Sequence, residues 1–363
     1  MPQKEAEQLR SMLVIGAYSS SYPRNQVLIR ALGEVFEIQE INVAGKKFSN
    51  LLFIYSLIRF GRKKDFIFVI QPIYKLAFWL WFYKIITGKK IIIDAFISTY
   101  DSFISDRKLA RRFSLKALYY YCLDAVSCLV ADYIIFDTQS NQDYFKKKYF
   151  IHSKTHALIL PLAIDLSYYD SMKYERDYAI FPKDKFNVFF YGNFIPLQGV
   201  EYIVKAAALL KNISEINFIL LGSGQTRKES ESLASELGLK NIIFLNRVPF
   251  SDLVKYIKMS DACLGIFGGT DKAKRVIPNK VLDYLACEKI TITGRNSEME
   301  KYFKDGEDLF YVNMADEKDL AEKIKYIYEQ LSNLGAISKK GKDKIKDNFN
   351  PNKFLEIIKS EIK

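Results

Sequence analysis

Twelve short apolar runs, each followed by a longer amphipathic stretch, divide this chain into two cycles of six, and that rhythm constrains its fold more than any single motif. The first cycle places strands at MLVIG (12–16), FEIQEINV (36–43), DFIFVI (65–70), KIIID (90–94), DYIIFDT (132–138) and HALILPL (156–162). The second places them at FNVFFYG (186–192), INFILLG (216–222), NIIFLNRV (241–248), ACLGIF (262–267), KITITG (289–294) and LFYVN (309–313). A parallel neighbour requires a crossover long enough to hold a helix, so the alternation predicts parallel α/β sheets. Residues 165–185, DLSYYDSMKYERDYAIFPKDK, are polar, tyrosine-rich and aperiodic, and are read as the linker. Two doubly wound domains are expected, 1–166 and 182–346, with the ligand in a cleft at the carboxyl ends of their strands. NPNKFLEIIKSEIK, at the end, reads as a capped helix with Phe354, Ile357 and Ile358 at helical spacing.

The length of 363 residues suits two cores, and an apolar fraction of 49% excludes disorder. Four cysteines, Cys122, Cys128, Cys263 and Cys287, lack the paired spacing of a zinc site or disulfide framework, which fits a reducing compartment. No apolar run reaches the roughly 20 residues that span a bilayer. MPQKEAEQLR lacks the apolar centre of a secretory signal, so a cytoplasmic location is expected.

Charge is unevenly spread. Positions 45–150 hold 18 Lys plus Arg against 8 Asp plus Glu, an excess of 10 within a net charge of +12. The cations alternate with bulky aromatics in FSNLLFIYSLIRFGRKK, YKLAFWLWFYK and DRKLARRFSLKALYYY. A cationic, aromatic surface suits an anionic partner, and peripheral contact with the inner face of the cytoplasmic membrane is the expectation. Nucleic acid is not expected, because no recognisable RNA- or DNA-binding motif is present.

The chemistry concentrates in TDKAKRVIPNKVLDYLACEK (270–289), where Lys272, Lys274, Arg275 and Lys280 precede or open an apolar helix led by Pro278. At about 100° per residue, Asn279, Lys280 and Asp283 share one arc, while Val281, Leu282 and Leu285 face the other way. Backbone N–H groups at a helix start, its dipole and these cations together favour a diphosphate, and Asp283 is placed to accept from ribose hydroxyls. In the first domain, IGAYSSSYPRNQVLIRAL sets a small-residue loop before a helix; Gly16 permits close backbone approach, and Tyr22, Arg24 and Asn25 are candidate acceptor or donor-sugar contacts. Asp94, Asp101 and Asp106, in and after KIIID, are carboxylates placed to orient an acceptor hydroxyl.

Several segments resemble glycosyltransferase family 4, a retaining family with the GT-B fold of two facing Rossmann-like domains. FYGNFIPLQGVEYIVKAAALL resembles its opening strand, loop and helix, IPNKVLDYLACEKITITG its donor-site helix and following strand, and YFKDGEDLFYVNMADEKDLAEKI its final strand and helix. The resemblance covers most of residues 186–330 and is loose in the amino-terminal half. It implies a hexosyltransferase that moves a sugar from a nucleoside-diphosphate donor to a glycan or lipid-linked acceptor in cell-surface polysaccharide or glycolipid assembly. It further implies that the terminal helix, about 350–363, packs back on the first domain.

The donor set implied is Gly16, Gly192, Asn193, Arg247, Val248, Asn279, Val281 and Asp283, with base contacts from backbone near Arg247 to Pro249. Acceptor contacts are Tyr22, Arg24, Asn25, Asp94 and Asp101, with Asp94 where many members have His. Such enzymes look as though they react on the donor's front face with the leaving phosphate taking the acceptor proton. No nucleophile is therefore assigned, and Lys272, Arg275 and Lys280 are the expected catalytic groups. The family's paired acids read Arg275 and Asp283 here, its loop Arg and Lys read Asn193 and Gln198, and its ACGKP reads ACEKI with Glu288 at the glycine.

No DxD triplet occurs, so neither metal nor other cofactor is expected. GSGQTR carries Gly222 and Gly224 but Arg227 at the third glycine of a dinucleotide fingerprint. His152 and His156 read as structural. A non-catalytic nucleotide-sugar binder or scaffold subunit is the rival reading, which the neutral Asn193 and Gln198 keep open.

Overall fold

The computed structural model describes residues 9–20, 22–70 and 76–362. It divides into two compact units, Met1–Ala163 with Pro351–Lys363, and Ile164–Asn350. The strands of the first are β1 (Ser11–Gly16), β2 (Glu37–Asn42), β3 (Phe66–Ile70), β4 (Lys90–Asp94), β5 (Tyr133–Phe136) and β6 (His156–Ile159), all parallel, in the order β2-β1-β3-β4-β5-β6. Those of the second are β7 (Phe186–Asn193), β8 (Ile216–Ser223), β9 (Ile242–Leu245), β10 (Ala262–Leu264), β11 (Ile290–Gly294) and β12 (Phe310–Val312), again parallel, in the order β12-β11-β10-β7-β8-β9.

Inner strands such as FIFVI of β3 and ITITG of β11 are buried at every residue, because helices cover both faces of each sheet. On one face of the first sheet Leu13, Ile15, Val69 and Ile93 pack with Phe53, Leu57 and Leu80; on the other Met12, Val14 and Phe68 meet Leu28 and Leu32. The terminal helix Pro351–Glu361 joins this second face through Phe354 and Ile358. The chain crosses from one side of the sheet to the other between β1 and β3, and in the second unit between β7 and β10. These are the switch points at which a crevice opens beyond the strand ends.

The stretch 165–185 is not a linker but part of the second unit's core. Asp165 caps helix Leu166–Ser171, and Tyr169, 2% exposed, reaches the carboxylate of Asp283. Tyr168 stacks on Phe250 with ring centroids 5.7 Å apart. Phe181 is fully buried, 6.0 Å from the ring of Phe189 and 5.6 Å from that of Tyr256. Each anchor here is a single aromatic side chain rather than a repeating face, so periodicity does not register them.

If Phe181 seals this core, Phe181→Ala costs about 3–5 kcal/mol of stability, the usual price of an emptied aromatic site. Denaturant unfolding followed by circular dichroism measures it, and a loss below 1 kcal/mol marks the segment as a loosely attached tether.

Candidate active site

The carboxyl ends of β7 and β10 are held together by their loops: the N–H of Phe267 donates to the carbonyl of Gln198 (3.1 Å) and that of Gly268 to Leu197 (3.2 Å). Into this junction helix Asn279–Ala286 sends Lys280. Its ammonium donates to Gln198 Oε1 and lies 3.8 Å from the centroid of the Phe190 ring. A Cβ on Gly192 would come within 2.6 Å of Lys280 Nζ, so glycine is what makes room for the cation. Lys280 is 5% exposed, and burial pushes its ammonium well below the usual lysine range while Asp283 pulls it back up. A buried cation of this kind favours an anion placed beside it.

Asp283 lies one turn further along the helix, and its two carboxylate oxygens accept from the hydroxyls of Tyr169 and Tyr191. Burial pushes its carboxyl up to about 6, against those two hydrogen bonds and Lys280, which pull it down. The expected contact with ribose hydroxyls is therefore corrected: both oxygens already have tyrosine partners. The helix also has no solvent face, since every residue from Lys280 to Ala286 is buried. Helix Gly335–Asn348 packs on it, and Tyr169 of Leu166–Ser171 covers the arc on which Asp283 lies. Val281 is completely buried and its N–H donates to Pro278 at 3.0 Å, so neither its side chain nor its amide is presented to a donor.

The loop before this helix is a built structure. Ala273–Arg275 forms a single 3-10 turn, and Asn296 Nδ2 reaches the carbonyls of Ala273 (3.4 Å) and Val276 (3.2 Å). Arg275 Nε donates to the carbonyl of Asp271 at 3.2 Å. Lys272, Arg275 and Asn279 are half-buried on this loop and helix start. At the ends of β7, β8 and β9, Arg247 donates to Asn193 Oδ1, which brings two expected donor residues together, and Val248 packs in the core below. Arg227, the departure from the dinucleotide fingerprint, donates to the carbonyls of Gly222 (2.9 Å) and Leu245 (3.0 Å), between the rings of Phe194 and Phe244. It fastens strand ends together where a third glycine would leave space.

Glu288 occupies a left-handed turn, φ 54°, at the end of the same helix, and its carboxylate accepts from Lys342 at 2.8 Å. Lys342 also reaches Asp170 at 2.7 Å, so this one lysine of helix Gly335–Asn348 holds both Glu288, at the end of helix Asn279–Ala286, and the helix that carries Tyr169. The acid has a structural role.

In the first unit, Arg24 and Asp94 form a buried bidentate pair with N–O distances of 2.9 and 3.0 Å, and the guanidinium lies over Phe96 at 4.6 Å. This corrects both as acceptor contacts, because each is the other's partner at 3% and 2% exposure. Asp137, which the sequence reading missed, lies buried at the end of β5, accepts from Asn141 at 2.8 Å, and is pushed up to about 6 by burial. Gly16 serves strand packing, since a Cβ there would lie 2.6 Å from the carbonyl oxygen of Ile70. Asn25 Nδ2 donates to Ser19 O at 3.0 Å, and Tyr22 is half-buried ahead of the helix. Asp101 and Asp106 begin and end a π-helical turn, both buried. Asp124 gathers that turn by accepting from Ser98 Oγ (2.7 Å), Thr99 Oγ1 (2.6 Å) and the N–H of Tyr100 (3.0 Å).

A parallel sheet in the order β12-β11-β10-β7-β8-β9, a phosphate-compatible cation at its switch point and a charged loop before helix Asn279–Ala286 narrow the field. Residues 173–344 match the sequence model of the family described as glycosyl transferases group 1. Over these residues the second unit is similar to group 1 glycosyl transferases. Over 111 residues the chain is 28% identical to a protein of Escherichia coli strain K12 named as a colanic acid biosynthesis glycosyl transferase, WcaI, and the match spans 31% of this chain and 27% of that relative. Among solved structures, Anabaena Alr3699/HepE in complex with UDP and glucose superposes with a TM-score of 0.73 at 13% identity, covering 97% of this chain and 98% of that one. Sucrose-phosphate synthase from Thermosynechococcus elongatus gives 0.74 at 14%, with 97% and 98% covered. WaaG, a glycosyltransferase involved in lipopolysaccharide biosynthesis, gives 0.67 at 13%, with 96% and 99% covered. The shared architecture is the two-sheet GT-B fold.

Tyr169, Tyr191, Gln198 and Asn296 complete the candidate site of the second unit, and none stands in a spacing that announces it. Only the mismatch of Gln198 with a cationic family position hinted that another residue must supply the charge.

The raised carboxyl of Asp283 fixes the sign of a pH effect. Its contribution to stability is fully present below the unfolded value of 3.8 and is lost as pH rises through the folded value of about 6. Asp283→Asn therefore gains stability relative to the parent protein as pH rises across that window. Paired urea titrations between those limits measure the difference, and a gap that stays constant shows that Asp283 does not titrate inside the fold.

Proposed function

We propose that this protein is a retaining, metal-independent glycosyltransferase of hexosyltransferase type. It transfers a sugar from a nucleoside-diphosphate donor to a glycan or lipid-linked acceptor in cell-surface polysaccharide or glycolipid synthesis. The acceptor is met at the inner face of an anionic cytoplasmic membrane. The observation that carries the reading is the buried Lys280 ammonium at the β7–β10 switch point, hydrogen-bonded to Gln198 beside Gly192. A diphosphate bridging Lys280 and the loop of Lys272 and Arg275 gives the buried charge its counter-ion.

In this reading the bond between the sugar's anomeric carbon and the phosphate oxygen breaks as the acceptor oxygen bonds to the same face of that carbon. The acceptor proton passes to the departing phosphate oxygen. Cations stabilise the charge that grows on that phosphate, so the chain's own contribution is position and electrostatics. Lys280 stands in for the cation that family members supply from the loop position of Gln198, which it touches. The UDP and glucose bound by HepE and the lipopolysaccharide role of WaaG support a nucleotide-sugar donor and a cell-surface product.

A non-catalytic nucleotide-sugar binder is favoured only by the neutral Asn193 and Gln198, and release of sugar from donor by the purified protein separates the two. Thermal stabilisation by uridine, guanosine and adenosine diphosphates identifies the base, with about 2.7 kcal/mol expected at 100 times the dissociation constant. Arg275→Ala combined with Lys280→Ala abolishes turnover and this stabilisation while circular dichroism stays unchanged; retained turnover refutes the assignment.

A further inference from the structure

We propose that the outer face of the helices Ser49–Phe60, Ala77–Thr87 and Leu115–Val130, together with the loop 111–114, is the surface by which this protein docks on an anionic bilayer. The inference rests on the membrane-associated reading above and names the surface that reading requires. The three helices cover one face of the first sheet, where Phe53, Leu57, Leu80, Tyr83, Cys128 and Val130 turn inward. On an ordinary surface helix the opposite side is polar. Here it carries Ile58, Trp79, Phe82 and Ile86, the last 72% exposed, and Phe113 in the adjoining loop and Leu115 at the helix start add 96% and 86% exposure. The helix AFWLWFYKIIT offers one charged residue, Lys84, and that ammonium is committed to Asp132 (2.7 Å) and the carbonyl of Val130 (2.8 Å).

The charge around this face selects its occupant. Of the eight acids between positions 45 and 150, Asp94, Asp101, Asp106, Asp124 and Asp137 are buried. The cations are outside: Arg59, Arg62, Lys63, Arg111, Arg112 and Lys116 are all exposed. A second copy of the chain would set like charges against one another. Anionic headgroups neutralise them while aromatic rings enter the interface, the arrangement that tryptophan-rich amphipathic surfaces adopt on lipid. Beside the loop a hollow of about 430 Å³ brings Arg112 and Lys148 together with Phe113, Leu118 and Tyr121. Its lining suits a headgroup phosphate and the first methylenes of its chains. Helices in a parallel unit begin at the carboxyl edge of the sheet, so the loop 111–114 lies at the edge where β1 and β3 end.

Both tryptophans of the chain, Trp79 and Trp81, stand on this helix, so intrinsic fluorescence reports the contact directly. The full chain is titrated with vesicles of phosphatidylcholine containing 30% phosphatidylglycerol, and with phosphatidylcholine alone, in low and high salt. The expected result is a blue shift, and quenching by brominated acyl chains, on anionic vesicles only, weakened by salt. Arg111→Ser, Arg112→Ser and Lys116→Ser together lower partitioning roughly 100-fold, since each surface cation adds about a fivefold factor. Trp79→Ser with Phe82→Ser removes the residual binding. Unshifted fluorescence on both vesicles, equal binding to neutral lipid, or a lipid-independent dimer that buries the tryptophans overturns the proposal. Stabilisation by nucleoside diphosphates without lipid is recorded on the same samples, so failure of docking is distinguished from failure of the enzymatic reading.

Discussion

A charged layer buried inside the last part of the second unit is the constraint to which its site is built. Taking Lys280 and Asp283 out of water costs several kcal/mol per ion unless each finds partners. Asp283 finds two tyrosine hydroxyls, one from helix Leu166–Ser171 and one from β7, and Lys280 finds Gln198 and the face of Phe190. Segments 164–171, 191–198 and 279–286 are thereby locked to one another around one helix. The charge of Lys280 is the one least answered by protein groups, and it lies at the strand ends. Structure and proposed chemistry meet there, because the desolvation that makes the lysine costly to bury is what makes it a strong partner for phosphate.

The two units distribute charge differently. In the first, carboxylates are drawn inward, where Asp94 pairs with Arg24 and Asp124 organises the π-turn by accepting its donors. Cations are left outside among exposed aromatics, and no helix among the described residues is long and apolar enough to cross a membrane. In the second unit the cations cluster at a switch point instead. A sequence-wide excess of positive charge thus resolves into one surface suited to lipid headgroups and one crevice suited to a diphosphate.

Substitution at family positions follows the same economy. Gln198 stands where the resemblance expects a loop cation, and Lys280 donates to it from a helix. Glu288 occupies a left-handed turn that suits glycine better, and its bond to Lys342 offsets the strain by fastening two helices together. Arg227 replaces a glycine and uses the space to join the ends of β8 and β9.

The sequence by itself determined the strands, the helical crossovers and their grouping into two parallel sheets, because these depend on apolar runs and their period, which are local. It located the charged loop and its helix for the same reason. Tertiary structure alone decided which charges remain open to a ligand. The sequence placed Asp283 on a polar arc, yet two tyrosines from distant segments occupy it; it offered Arg24 and Asp94 as contacts, yet 70 residues of separation vanish in a buried pair. Residues 165–185 looked like a tether because single aromatic anchors leave no periodic trace. Hydrogen-bond partners and burial are properties of chain crossings, and no spacing along one segment encodes what another brings to it.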